Sequence, residues 1–252
     1  MEVFDTHIHS EGRSVEDIAK MAEEGIKKAI TCAFYPIQPK FPETLIDLFR
    51  KLTTFEVERG KSAGMEIYPA IGIHPRCIPP NYRKVIEHME MECVAFGEIG
   101  LETGSDLEVE VLEEQLKLAK ELDKPCIIHT PRKNKLEVTK KTIEILQKLE
   151  FPEDLAVIDH VSRETVKIVL DSGYYAGLTV QPGKLSEEDV YSIVSEFGVE
   201  RFVINSDTGF DNADMFATTK TVKTLMDKGI AKDDVKKLAM DNGLKIFRIK
   251  GL

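Results

Sequence analysis

The chain has no tryptophan, and its four cysteines, Cys32, Cys77, Cys93 and Cys126, never form a CxxC pair. Zinc-ribbon and thioredoxin-like chemistry therefore find no support. Cys93 and Cys126 lie in apolar, strand-like runs and read as reduced core residues, which points to the cytoplasm. No run of about 18 or more apolar residues occurs, so no membrane span is expected. The opening MEVFDTHIHSEG lacks a basic segment followed by an apolar stretch, so no secretory signal is expected either. Positive charge is in short supply, with 34 Lys and Arg against 44 Asp and Glu and a net charge of −10. Such a surface repels polyanions unless a basic patch or bound cations intervene, so broad duplex binding is not expected. A small anionic substrate at a metal site remains compatible, because divalent ions add positive charge locally. The 31% charged content fits a heat-adapted source.

What is present alternates. VFDTHIH precedes the helical pattern VEDIAKMAEEG, KAITCAF precedes PETLIDLFRKLTTFEVERG, and MEIYPAIGIH precedes a short helix near NYRKVIEHMEM. VAFGEIG leads to DLEVEVLEEQLKLAKELD, PCIIHT to NKLEVTKKTIEILQKL, and LAVIDH to RETVKIVLDSG. YYAGLTV leads to SEEDVYSIVSEFG, and RFVINSD to further helices. No Ser/Gly-rich linker divides these pairs. Eight strand–helix units in 252 residues predict one (β/α)8 TIM barrel over 1–252. A doubly wound open sheet is the alternative, but it has no need of eight pairs.

Histidine is scarce, with six in all, yet five stand at predicted strand ends. His7 and His9 end the first strand, His74 the third, His129 the fifth and His160 the sixth. Only His88 lies inside a helix, as an ordinary surface residue. Glu98 ends the fourth strand and Asp207 the eighth. The C-terminal strand ends of a barrel ring one mouth, where catalytic groups lie. Alternation in a strand sets His7 and His9 side by side with Asp5 one step behind. Asp5 is then either a carboxylate that orients a ligand histidine or a capping or salt-bridge residue. Each polar residue alone could be structural, and Asp207 could cap a helix. Together, four histidines (His7, His9, His129, His160) and two carboxylates (Glu98, Asp207) make a ligand set for two divalent ions.

The motifs DTHIH, GIHP, GEIGLE, IIHTPR, VIDH and INSD, in that order along nearly the whole chain, resemble the TatD-related metal-dependent hydrolases, a family of amidohydrolase-like barrels. The tail DNGLKIF resembles the family's closing pattern at Asn242 and Phe247. The resemblance implies that His7, His9 and Asp207 hold one ion, that His129 and His160 hold the other, and that Glu98 bridges them. It also implies that His74 reaches the reacting water or substrate. Three departures stand out: Asn205 where the family has Glu, Glu102 where Asp is common, and one extra residue between His129 and Arg132. These are expected to surround the substrate, in a divergent, archaeal-type branch.

Imidazole suits zinc, while carboxylates also accept Mg²⁺ or Mn²⁺. Two ions can share a water and lower its pKa, and Asp207 could take its proton. Related barrels bridge their ions with a carboxylated lysine, but no lysine ends a strand here and Glu98 can serve. Arg76, Arg132, Arg163 and Lys184 follow strand ends and are read as phosphate-binding cations, or else as solvated charge. The expected activity is phosphoester hydrolysis, on single-stranded DNA ends or nucleotides. Amide or lactone hydrolysis on the same scaffold is the alternative. A metal-binding interaction protein without turnover is a third reading, against which an intact Asp207 weighs. A PHP-type phosphoesterase needs more histidines than the chain has.

Overall fold

Eight apolar runs become eight strands: β1 (Val3–Ile8), β2 (Ile26–Cys32), β3 (Glu66–Ile71), β4 (Ala95–Gly100), β5 (Cys126–His129), β6 (Ala156–Ile158), β7 (Tyr175–Thr179) and β8 (Phe202–Asn205). The structure is a computed structural model that describes residues 1–210 and 212–250; residues 211, 251 and 252 of the expected span lie outside the described residues. The strands are parallel and pair in chain order. Both faces of each strand are covered, which is why the runs read as nearly continuous apolar sequence. The seam between β8 and β1 is joined by Asp207 N–H to the His7 carbonyl at 2.9 Å and His9 N–H to the Thr208 carbonyl at 2.7 Å. The Thr6 hydroxyl adds a bond to the Ile204 carbonyl at 3.0 Å. A doubly wound sheet, with two free edges, is thereby excluded, and the chain forms a (β/α)8 TIM barrel.

The helices are α1 (Val15–Glu23), α2 (Glu43–Lys51), α3 (Val57–Ser62), α4 (Arg83–Ile86), α5 (Asp106–Glu121), α6 (Lys135–Lys148), α7 (Val166–Asp171), α8 (Glu187–Phe197), α9 (Ala217–Asp227), α10 (Lys232–Lys236) and α11 (Asn242–Ile246). The single helix expected after β2 is α2 and α3 joined through a π-helical turn at Leu52–Glu56. No helix among the described residues is long and apolar enough to cross a membrane.

Two helices bear directly on the mouth. α5 buries Val111, Leu112, Leu116 and Ala119, and its one fully buried amide, Gln115, has a specific task. Gln115 Oε1 accepts from Ile73 N–H at 2.7 Å and its Nε2 donates to the Ile73 carbonyl at 3.2 Å, pinning the residue before His74. α8 starts with a capping box, in which Ser186 and Asp189 satisfy each other's backbone N–H groups. That start fixes the loop carrying Lys184.

Inside the barrel, Phe4, Ile30, Ala70, Ala95, Ile127, Val157, Tyr175 and Val203 meet, one from each strand. Phe247, Ile246 and Met240 from the C-terminal segment pack into the same cluster. Phe247 meets Phe4 edge-on with ring centroids 6.3 Å apart, at the strands' N-terminal end. Gly243 permits this approach, since a Cβ there would lie 2.7 Å from Phe4 Cδ1. Asn242 anchors the segment by donating to the Val199 and Phe202 carbonyls, both at 2.7 Å. Burying a phenylalanine in this way stabilises the fold by about 1.5–3 kcal/mol, and it closes the barrel floor.

Candidate metal centre

At the opposite end, the strand-end residues converge. His9 Nδ1–H donates to the Cys32 carbonyl at 2.9 Å, which turns Nε2 inward. His7 Nδ1 lies 2.6 Å from the Asp159 carboxylate, and its Nε2, buried, has no hydrogen-bond partner. Both Nε2 atoms stand 3.5 Å from Glu98 Oε1. They lie 3.5 and 3.1 Å from Asp207 Oδ1 for His7 and His9 respectively. Four donor atoms from His7, His9, Glu98 and Asp207 thus lie within 4.8 Å of one another.

The other oxygen of Glu98 faces the second pair. Glu98 Oε2 is 3.2 Å from His129 Nδ1 and 3.1 Å from His160 Nε2. His129 Nε2–H is taken by Glu102 at 2.8 Å, so its Nδ1 is left to face Glu98. Thr179 Oγ1 donates to Asp159 at 3.3 Å and accepts from His160 Nδ1 at 2.7 Å, which turns the His160 Nε2 lone pair inward. The residues therefore fit divalent cations. Buried imidazole nitrogens and two ionised carboxylates crowd one space, with a partner already fixing the other nitrogen of each ring, the arrangement that orients metal-ligating histidines. Glu98, with one oxygen toward each pair, is placed to bridge.

Electrostatics agree. Burial disfavours charge on Glu98, but His7, His74, His129 and His160 around it hold its carboxyl well below the usual range. Asp207, largely but not fully buried, is likewise held low, chiefly by Lys184 and His7. The pull of these carboxylates for positive charge shows in His9, where their hydrogen bonds override burial and lift the pKa to about 9. Burial and the neighbouring Lys184 push His160 down to about 4. His74 is different. Its Nδ1 accepts from Arg76 N–H at 3.0 Å, and burial and His129 keep it neutral. With Nδ1 so occupied, Nε2 faces the cavity, 3.8 Å from Glu98 Oε1, where His74, Glu98 and His129 also group closely enough to hold an ion. Backbone strain marks two of these positions. His160 and Asp207 adopt left-handed φ of 58° and 49°, which costs an L-residue roughly 1–2 kcal/mol each.

A cavity of about 610 Å³ opens over the cluster. Arg76, Arg132, Lys133 and Lys184 line it, together with Phe34, Pro36 and Phe210. Arg132 donates to Gln181 Oε1 at 3.0 Å. Lys184 pairs with Asp207 Oδ2 and stands 3.2 Å from His160 Nδ1.

Three expectations need correction. Asp5 does not hold the ring of a ligand histidine. The register of β1 slips between Asp5 and Ile8, and Asp5 instead accepts from His7 N–H, Ser206 N–H and the Thr218 hydroxyl at 3.3, 3.1 and 3.4 Å. It is a buried peg between β1, the turn after β8 and α9, and burial raises its pKa to about 6. The orienting carboxylate is Asp159. Arg163 does not line the cavity: the turn after left-handed His160 carries it outward, exposed, 3.9 Å from Asp189. Lys133, which sequence reasoning passed over, lines the cavity instead. Finally, Glu102 and Asn205 stand behind the metal-facing residues rather than only around substrate. Glu102 holds His129, and Asn205 Nδ2 donates to Asp159 Oδ1 at 2.9 Å. Asp159 had a sequence signal, since a carboxylate inside an apolar strand run must be paired. Phe34 and Phe210, being apolar, had none.

A metal titration checks this arrangement. Chelator-treated protein is expected to take up more than one equivalent of Zn²⁺ or Mn²⁺, in two steps. Glu102→Ala should weaken one step about 10- to 100-fold and spare the other. A single equivalent at saturation would remove the bridging role from Glu98.

The sequence matches the family described as TatD related DNase over residues 4–248. It is 37% identical to an uncharacterised metal-dependent hydrolase of Methanocaldococcus jannaschii, over 98% of this chain and 100% of that protein. The crystal structure of a TatD-like protein from Archaeoglobus fulgidus is 50% identical, covers 98% of this chain and 100% of its own, and superposes with a TM-score of 0.87. A phosphotriesterase homology protein from Escherichia coli, complexed with phosphate in its active site, shares the fold at 12% identity, with a TM-score of 0.72 and 98% of each chain covered.

Proposed function

The chain belongs to the TatD-related family of metal-dependent hydrolases, and from that membership we propose that it hydrolyses phosphoester bonds, in single-stranded DNA ends or nucleotides. The observation that carries this reading is the gathering of cations at one cavity in an acidic protein. Arg76, Arg132, Lys133 and Lys184 share the space over the donor cluster, while the chain as a whole carries −10. Phosphoryl transfer leaves negative charge on non-bridging oxygens, which guanidinium and ammonium groups stabilise better than they do a neutral amide.

His7, His9 and Asp207 would hold one divalent ion, His129 and His160 the other, with Glu98 between them. When bound, such ions supply a water acidic enough to ionise near neutral pH and neutralise charge on phosphoryl oxygens. Asp207, ionised beside Lys184, takes the proton of the attacking water and returns it to the leaving oxygen. His74 donates from Nε2 to an oxygen of the reacting group. Arg76 and Arg132 orient the phosphoryl group. The mouth accepts a chain end more readily than a duplex, whose many phosphates the net charge of −10 repels.

A substrate panel tests this. Mn²⁺- or Mg²⁺-loaded protein should cleave a generic phosphodiester and short single-stranded DNA faster than lactones, esters and N-acyl amides of similar size. Arg76→Ala with Arg132→Ala should raise KM about tenfold or more, because charged hydrogen bonds contribute roughly 1.5–3 kcal/mol each. Turnover of lactones or amides without phosphodiesters would overturn the assignment.

A further inference from the structure

Two phenylalanines stand in a cavity otherwise rich in charge. Phe34 follows β2 and lies with its ring centroid 5.0 Å from His74 and 5.4 Å from His9. Phe210 follows β8, keeps 43% of its surface exposed, and lies 5.9 Å from Phe34 and 5.7 Å from His9. The Arg76 guanidinium rests over Phe34 at 5.6 Å. A large apolar side chain left open inside a polar cavity is informative where one scattered on an outer surface is not. The Phe210 ring, 43% exposed, gains most from a flat, apolar surface.

Topology adds direction. The strands run around the barrel in chain order, so β2 and β8 flank β1, and β5 stands across from them. Phe34 and Phe210 therefore form one wall, above β8, β1 and β2, while Arg132 and Lys133, just past β5, form the facing wall. The donor cluster lies between them. We propose that Phe34 and Phe210 form a ring-binding platform, so that the preferred phosphoester carries a planar ring, aryl or heteroaryl, on the side of the scissile phosphorus facing β1. Any further anionic group then lies toward Arg132 and Lys133. This deepens the phosphoester reading and rests on it.

The probes are phenylphosphonate and methylphosphonate, non-hydrolysable anions that differ in the ring alone, titrated calorimetrically into the metal-loaded protein. Wild type is expected to bind phenylphosphonate about tenfold more tightly than methylphosphonate. Phe210→Ala should bring that ratio close to one, and Phe210→Tyr, which restores a ring, should restore it. The Phe210 side chain is 43% exposed, and an unchanged Tm would show that the variants keep the fold. A wild-type ratio near one, or a ratio that survives Phe210→Ala, overturns the platform and leaves the phosphoester reading standing. Failure to bind either phosphonate overturns both.

Discussion

Asp207→Asn is expected to lower kcat by ~10²-fold or more while most of the bound metal stays in place. The amide keeps the shape and one ligand oxygen, so the contact now seen between Oδ1 and His9 Nε2 at 3.1 Å can persist. What it loses is basicity. Lys184 and His7 hold the Asp207 carboxyl ionised against burial, which makes it available as a proton acceptor throughout the neutral range. The measurement is kcat at saturating metal, paired with elemental analysis of the same preparation. Turnover near wild type would remove Asp207 from the chemistry, whereas loss of metal and activity together would make it a ligand only.

Asp159→Ala is expected to cost both metal and stability. Asp159 is fully buried, and it accepts from His7 Nδ1 at 2.6 Å, His160 N–H at 2.8 Å and Asn205 Nδ2 at 2.9 Å. Burial opposes its charge, but His160, His7 and Asn205 keep its carboxyl far below the usual range. Space for the carboxylate exists because residue 177 is glycine: a Cβ there would lie 1.9 Å from Asp159 Oδ1. Removing one partner from such a network strands the others, at a cost of about 3–5 kcal/mol. Metal affinity at the His7 position should fall about 10- to 100-fold, as for other orienting carboxylates. Denaturant unfolding in excess chelator isolates the first effect and metal titration the second. Asp159→Asn, which keeps the shape, should show more of the second than of the first. Unchanged metal affinity in both variants would reduce Asp159 to a structural peg.

The barrel was legible in the sequence because a strand covered on both faces must be apolar along its length, and each such run stops where the chain reaches the open mouth. The same abrupt change from apolar to polar exposed His74, His129, His160 and Asp207. The part that stayed hidden depends on local geometry. Alternation assigned Asp5 to the face of His7 and His9, and a slipped register in β1 undid it. Spacing brought Arg163 to the mouth, and the left-handed turn at His160 took it away. Glu102 and Asn205 act through other side chains, which no spacing rule reports. Attention to charge also hid Phe34 and Phe210, whose position matters more than their polarity.

The Phe247 plug has a consequence for traffic. With the floor filled by Phe247, Ile246 and Met240, the cavity over the donor cluster opens at the other end of the barrel, the mouth. On the phosphoester reading, a polymer would be shortened from a terminus that dips in and withdraws, or cut where it loops into the opening. On the same reading, a released anion would pass the cations at the mouth again, so the spent fragment would compete with the next arrival.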